Sequence, residues 1–469
     1  MTPGREPADS AGDSDKHRGV FLVSSWLDRV AAHMPGGRKR APVLSERDLL
    51  RQRRWALLTF VACIATLFAS ILAGTQMSGA STASVNAGGA GISTGGTGVN
   101  AGGTGIDTGG TAVSTPSPRT STSSSSLPAR TYAGFSCSAT GSNATTRLTV
   151  TGLDPDGTGD DFAAIQNAID LAGERGGGIV ALPAGTFVID NHLALKDNVE
   201  LTGVGPATVI KAGPGFLSTQ GPGGGYPLIT TAGASNITIA DLTADQSGET
   251  LNGNVPARLS GYVVEGFYSS NVVIDGVHVR NPFTYSIAMV RSADFCIENC
   301  NVAVTTARLY NQLDGIHILD SHSGQVIGNT IRSGDDGMAA HTIGAPVYDV
   351  LFADNKVFGG KTDAGLQLAV GGFPIYAIEV EDNNFYGSLY GIRVGYYGSS
   401  AAAVSNILIS ANYIHNLAQG QRFPAIDLDG LGGGDLITDV TVIGNRICRA
   451  GAITIQPGPG NAVTKTTDC

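Results

Sequence analysis

Charge is the first thing this chain lacks: Asp, Glu, Lys and Arg together make up 14% of its 469 residues. Only 29 of them are basic against 39 acidic, a net of −10, which excludes a surface built to neutralise nucleic-acid phosphates. Cysteine is scarce as well, at six residues, and none has the histidine companions of a zinc site. Helical periodicity is missing from most of the chain, and this excludes helical repeats. Glycine, in contrast, is plentiful, with 66 residues.

One long run is free of charge, the 20 residues from Trp55 to Gly74, enough to cross a bilayer. It follows Arg51, Arg53 and Arg54. The positive-inside rule then puts residues 1–54 in the cytoplasm and everything after 74 outside the cell membrane. Up to Arg54 there are 11 basic and 7 acidic residues; the remainder carries 18 and 32, a net of −14. Small residues at Ala73, Ala80 and Ala83 allow the alternative of secretion after signal cleavage. A signal peptide has a much shorter leader than this one, however, so an uncleaved single-pass anchor is expected. Residues 75–136 form a Gly/Ser/Thr-rich linker. Within it Val85 to Gly98 is nearly duplicated by Val99 to Ala112, and too little apolar surface is present to offset ordering entropy.

Residues 137–469 form the remaining domain, where short apolar runs recur. An apolar residue followed three positions later by Asn, or once by Cys, appears at Ile297/Cys300, Val326/Asn329, Phe352/Asn355, Val380/Asn383, Ile409/Asn412 and Val442/Asn445. The intervals of 29, 26, 28, 29 and 33 residues signal a solenoid, and the Val/Ile/Gly/Asn texture makes it a β-helix. Its open end needs a cap. Asp160 is placed to cap a helix from about Asp161 to Ala172, with Phe162, Ile165, Ala168, Ile169 and Ala172 on one face. Of the five cysteines beyond the membrane segment, Cys448 and Cys469 are the preferred disulfide. Cys296 and Cys300 are too far apart on a straight strand to bond each other. An odd number leaves at least one thiol unpaired or intermolecular.

The chemistry concentrates in Asp314-Gly-Ile-His-Ile and Gly334-Asp-Asp-Gly337. Asp314 precedes Asp335 by 21 residues, close to one coil, so Asp314, Asp335 and Asp336 meet on neighbouring rungs. Rungs about 4.8 Å apart would set carboxylates roughly 5–8 Å from one another. An inverting glycosidase holds its acid and base about 6.5–9.5 Å apart. Gly334 and Gly337 would supply the bend that lets both aspartates face solvent. His317 alternates outward beside Asp314, and His341, Gln367, Arg393, Tyr396, Tyr397 and Asp427 are further candidates for substrate contact.

Asp154-Pro-Asp-Gly-Thr-Gly-Asp-Asp-Phe-Ala-Ala-Ile-Gln-Asn-Ala-Ile169 and Leu182-Pro-Ala-Gly-Thr-Phe187 resemble the N-terminal signature of the pectin-lyase-like right-handed parallel β-helices. The resemblance spans roughly residues 150–460. It implies an all-β fold, a right-handed parallel β-helix with a short N-terminal capping helix, here behind a single transmembrane helix. Asp314-Gly and Gly334-Asp-Asp look like the first two active-site motifs of the polygalacturonase family. That likeness implies Asp335 as general acid, with Asp314 and Asp336 holding and activating water. Two further family motifs are altered: Ala364 stands where histidine is expected and Gly395 where lysine is, leaving Arg393 alone. The lost lysine and the net of −14 argue against polygalacturonate as substrate.

The reading is an extracellular, membrane-tethered inverting glycoside hydrolase acting on a polysaccharide. It is expected to be a monomer that needs no metal or other cofactor and has no nucleic-acid partner. The alternatives are a lyase or epimerase on the same fold, which would use Ca²⁺ among the carboxylates and Arg393 as base, and a non-catalytic glycan-binding solenoid.

Overall fold

The structure is a computed structural model that describes residues 142–217, 227–251, 261–304, 313–360, 363–396, 402–428, 436–464 and 466–469. The expected cytoplasmic segment, membrane helix and linker lie outside the described residues. Among the described residues, no helix is long and apolar enough to cross a membrane.

Three parallel sheets wind the chain into a right-handed β-helix. Among the described residues sheet A has twelve strands, from Arg147–Thr149 to Ala462–Thr464; sheet B has twelve, from Asp156–Asp160 to Thr467–Asp468; sheet C has ten, from Leu193–Ala194 to Gly451–Ile455. Each strand pairs with its counterpart one coil away. Sheet C, for example, pairs Ile287 with Ile316 and Ile316 with Met338. These residues point inward and stack with Leu366 and Ile392 in one continuous buried core. A coil on its own exposes its apolar row; stacking removes it from water, which at about 25 cal/mol per Å² is the main force holding the solenoid together.

The Asn repeat is a buried ladder. Asn355 Oδ1 accepts from Asn329 N at 3.0 Å, and Asn383 Oδ1 from Asn355 N at 3.0 Å. Asn412 and Asn445 continue it at 3.0 and 2.9 Å. Each Nδ2 donates to the carbonyl of the apolar partner one coil back: Asn355 to Val326 at 2.8 Å and Asn383 to Phe352 at 2.8 Å. The three-residue offset therefore has a mechanical origin, since the corner between sheets A and B leaves backbone groups that only a short amide side chain can satisfy on both sides. Cys300 ends the ladder, contributing its N–H to Asn329 Oδ1 at 2.9 Å.

The capping helix runs Phe162–Glu174, starting one residue and ending two residues later than expected, with Asp161 in the N-cap position. Asp160 still accepts from Phe162 N at 3.0 Å, and it also accepts from Asp190 N at 3.1 Å, tying the helix to the first coil. Ile165, Ile169 and Ala172 are buried against that coil. Cys448 and Cys469 are bonded as expected, Cys300 is a buried free thiol, and Cys296 is disulfide-bonded but not to Cys300.

Candidate active site

The outer face of sheet C carries the candidate residues. Its register sets Glu265, Ala288, His317, Ala339, Gln367, Arg393 and Asp427 in one row across successive coils. Two residues further along each strand a second row runs Val290, Leu319, His341, Ala369 and Gly395. At the corner where each coil enters the sheet, Tyr262 lies opposite Tyr285. Extending the pairing of Ile316 with Met338 back by two residues sets Asp314 opposite Asp336. The carboxylate one coil on from Asp314 is therefore Asp336, 22 residues away, not Asp335.

Glycine shapes that corner for lack of space. A Cβ on Gly337 would lie 2.1 Å from Val357 Cγ1 and 2.6 Å from Gly365 O, and one on Gly315 would lie 2.4 Å from Gly337 O. Neither residue has positive φ. The expectation that glycine frees both aspartates to face solvent is thus corrected. The backbone is pressed against the core, Asp336 is buried at 8% exposure, and only Asp335 is half-buried.

Asp314 is 4% exposed and His317 5%. Asp314 Oδ2 meets His317 Nδ1 at 3.0 Å, and His317 Nε2 meets His341 Nδ1 at 3.1 Å. Tyr285 sets its ring edge against His317, with centroids 5.0 Å apart, and stacks on Tyr262 at 5.2 Å. Asp314 Oδ1 is buried without a hydrogen-bond partner. Asp336 Oδ1 accepts from Ala364 N at 2.9 Å. Arg393 Nη1 pairs with Asp363 at 3.0 Å, and its guanidinium lies 4.7 Å over the Tyr390 ring.

Burial sets the protonation of this group. It lifts Asp314 to about 8, helped by the charge of Asp363. It holds Asp336 well above the carboxylate range, with Asp363, Asp314 and Asp335 adding repulsion. It lowers His317 to about 4, and it lowers His341 to about 3 with His317 contributing. The Asp314 to His317 contact is therefore a hydrogen bond between neutral groups at neutral pH, despite its salt-bridge distance. Burial also keeps the Tyr285 phenol protonated and raises Glu265 to about 7.

The structure thus joins Asp314, His317 and His341 in direct contact and sets Asp336 beside them. Gln367 is fully buried in the same row, and Arg393 lies three coils from His317. Tyr396 ends the strand Tyr390–Tyr396, its backbone paired with Val370, while Tyr397 and the Tyr396 side chain lie outside the description. Sequence reasoning missed Tyr262, Tyr285 and Glu265, which sit in no motif, and Asp363 as the partner of Arg393. Only the register could have found them. Among the described residues no group of three or more His, Cys, Asp or Glu is arranged to hold a metal ion.

Residues 147–393 match the family described as Rhamnogalacturonase A/epimerase, pectate lyase-like. The chain belongs to that family. Mannuronan C5-epimerase AlgE1 of Azotobacter vinelandii is 28% identical over 253 residues, 51% of this chain and 17% of that protein. Alginate lyase 7 of the same organism is 32% identical over 147 residues, 29% of this chain and 17% of that protein. The chain thus spans less than a fifth of the length of these two relatives. An exopolygalacturonase from Thermotoga maritima shares the fold, with a TM-score of 0.52 at 18% identity over 66% of this chain and 82% of that one. The family is one of polysaccharide-acting enzymes. The two relatives are an epimerase and a lyase, a broader range than the glycoside hydrolase expected from the sequence.

Proposed function

We propose that this protein abstracts the C5 proton of a uronate residue in a polysaccharide, outside the cell, as a C5-epimerase or a lyase. The observation that carries the reading is the contact chain Asp314, His317, His341 on the outer face of sheet C, with Arg393 on the same face. A proton next to a carboxylate is weakly acidic, so its removal needs a base that is unprotonated before it reacts and a positive group to hold the carboxylate as charge moves onto it. Burial keeps both imidazoles unprotonated at neutral pH. Arg393, oriented by Asp363, offers the planar fork that suits a carboxylate.

His341 takes the C5 proton, and the electron pair moves toward the C6 carboxylate. Reprotonation on the opposite face inverts C5, with the Tyr285 phenol a proton source kept in its acid form. Loss of the O4 substituent instead breaks the chain, and Asp336, held in its acid form, supplies the proton to the leaving oxygen. The names of the relatives point to mannuronan as the polymer to test first. The sequence-based hydrolase remains a second reading because Asp314 and Asp336, both held in the acid form, share a corner with Asp335. Screening the protein on a panel of uronate polymers separates the two. Epimerised residues or unsaturated ends support proton abstraction, and saturated reducing ends alone support hydrolysis.

A further inference from the structure

Two observations about the histidines conflict with a simple base. Burial holds His341 near 3, far below the range in which an isolated imidazole is an effective base at neutral pH. Yet His341 does not stand alone: its Nδ1 is 3.1 Å from His317 Nε2, and His317 Nδ1 is 3.0 Å from Asp314 Oδ2. We propose that Asp314, His317 and His341 form a single proton relay in which a proton taken up at His341 Nε2 comes to rest on Asp314.

The step balances without any other reactant. The form that accepts a proton is the ionised one, a minor fraction at neutral pH that grows as pH rises toward about 8: there Asp314 Oδ2 accepts from His317 Nδ1–H, and His317 Nε2 accepts from His341 Nδ1–H. A proton arriving at His341 Nε2 forms an N–H bond there as the Nδ1–H bond breaks. That proton passes to His317 Nε2, the His317 Nδ1–H bond breaks in turn, and an O–H bond forms on Asp314. Both rings are neutral before and after, and each has exchanged its tautomer. The only group that changes charge is Asp314.

This route avoids what burial penalises most, an imidazolium at either position, and places the proton on the carboxyl group that burial already favours protonating. It gives His341 the proton affinity of Asp314. The unpartnered Asp314 Oδ1 agrees, since a buried neutral acid tolerates an unmade hydrogen bond far better than a carboxylate does. The groups facing the relay act in concert. Tyr262 and Tyr285 on the preceding coils remain neutral phenols. Asp363 raises both Asp314 and Asp336, and Asp314 and Asp335 raise Asp336 further. Asp320, at the end of the His317 strand, favours protonated rings but is neutralised by Arg291 at 3.2 Å.

The catalytic meaning of the relay rests on the C5 reading, but the relay itself is a property of the free protein. The test is a pH titration of the full chain labelled with ¹⁵N-histidine, reading the tautomer of each ring by NMR without substrate. His317 and His341 should both stay neutral through the neutral and mildly alkaline range and reverse tautomer together at one midpoint. Asp314→Asn should abolish the reversal, and His317→Gln should leave His341 with no linked step. An imidazolium at either ring in that range, separate midpoints, or a reversal that survives Asp314→Asn would overturn the proposal. The wild-type titration decides the matter even where a variant does not fold. A shared reversal in a protein inactive on every uronate polymer would keep the relay and remove the C5 reading; C5 chemistry without the reversal would do the opposite.

Discussion

Replacing Asp314 with Asn should inactivate the protein while making it more stable at alkaline pH. Asp314 rises from an ordinary carboxyl value near 4 in the unfolded chain to about 8 in the fold. The folded state therefore binds more protons than the unfolded one between those values. Stability from this group is fully present below about pH 4 and is lost as pH rises to about 8. His317 and His341 work the other way: their depressed values give stability that is present above about 6.5 and lost as pH falls toward 3–4. Between pH 6.5 and 8 only the Asp314 slope remains within the relay, at about 1.4 kcal/mol per pH unit, or roughly 2 kcal/mol over the interval. Asn keeps the shape and can donate to His317 Nδ1, but it does not ionise. Glu265 and Asp336 titrate in both proteins and largely cancel. The Tm advantage of Asp314→Asn over wild type, measured by calorimetry at one scan rate, should grow by about 4 °C from pH 6.5 to 8. An advantage that is unchanged or shrinks over that interval would refute the assignment of Asp314 as a buried neutral acid.

Other substitutions test other parts of the structure. Gly337→Ala forces a methyl to 2.1 Å from Val357 Cγ1 and against the next coil's backbone, and should cost about 3 kcal/mol or more, read as a lost or sharply lowered Tm. Asn383→Ala leaves the Asn355 N–H and the Phe352 carbonyl unsatisfied in the buried ladder, and should cost roughly 3–5 kcal/mol by thermal unfolding while the specific activity of the folded fraction is unchanged. Arg393→Ala should raise KM for a uronate polymer. It also leaves the Asp363 charge unpaired, so Asp314 and Asp336 rise further and the acid limb of the pH-rate profile should move up by on the order of 1 unit.

Much of the scaffold was legible because its repeats have a local mechanical cause. The apolar-to-Asn offset reads out a ladder that only a short amide can build, and the amphipathic stretch after Asp160 reads out the cap. Asp314 and the Asp335-Asp336 pair were legible as neighbours at one corner because their spacing is close to a coil. Which aspartate faces Asp314 was not, since a coil of 21 or 22 residues depends on how the Gly337 corner is pressed against Val357. Alternation put His317 on the outer face. Its contact with His341 arises because Leu319 pairs with His341 across coils, a register no motif encodes. Tyr285, Glu265 and Asp363 were invisible for the same reason: their roles come from neighbours 30 or so positions away, one coil along.

Exchange with solvent reports most directly whether the C5–H bond is broken. The wild-type protein would be incubated with polymannuronate in ²H₂O and the polymer examined by NMR. Either inverted residues carrying deuterium at C5 or unsaturated ends that have lost the C5 hydrogen are expected, and neither with His341→Gln or Asp314→Asn. Cleavage of the polymer to saturated reducing ends with every C5 proton retained would contradict C5 proton abstraction and return the site to glycoside hydrolysis.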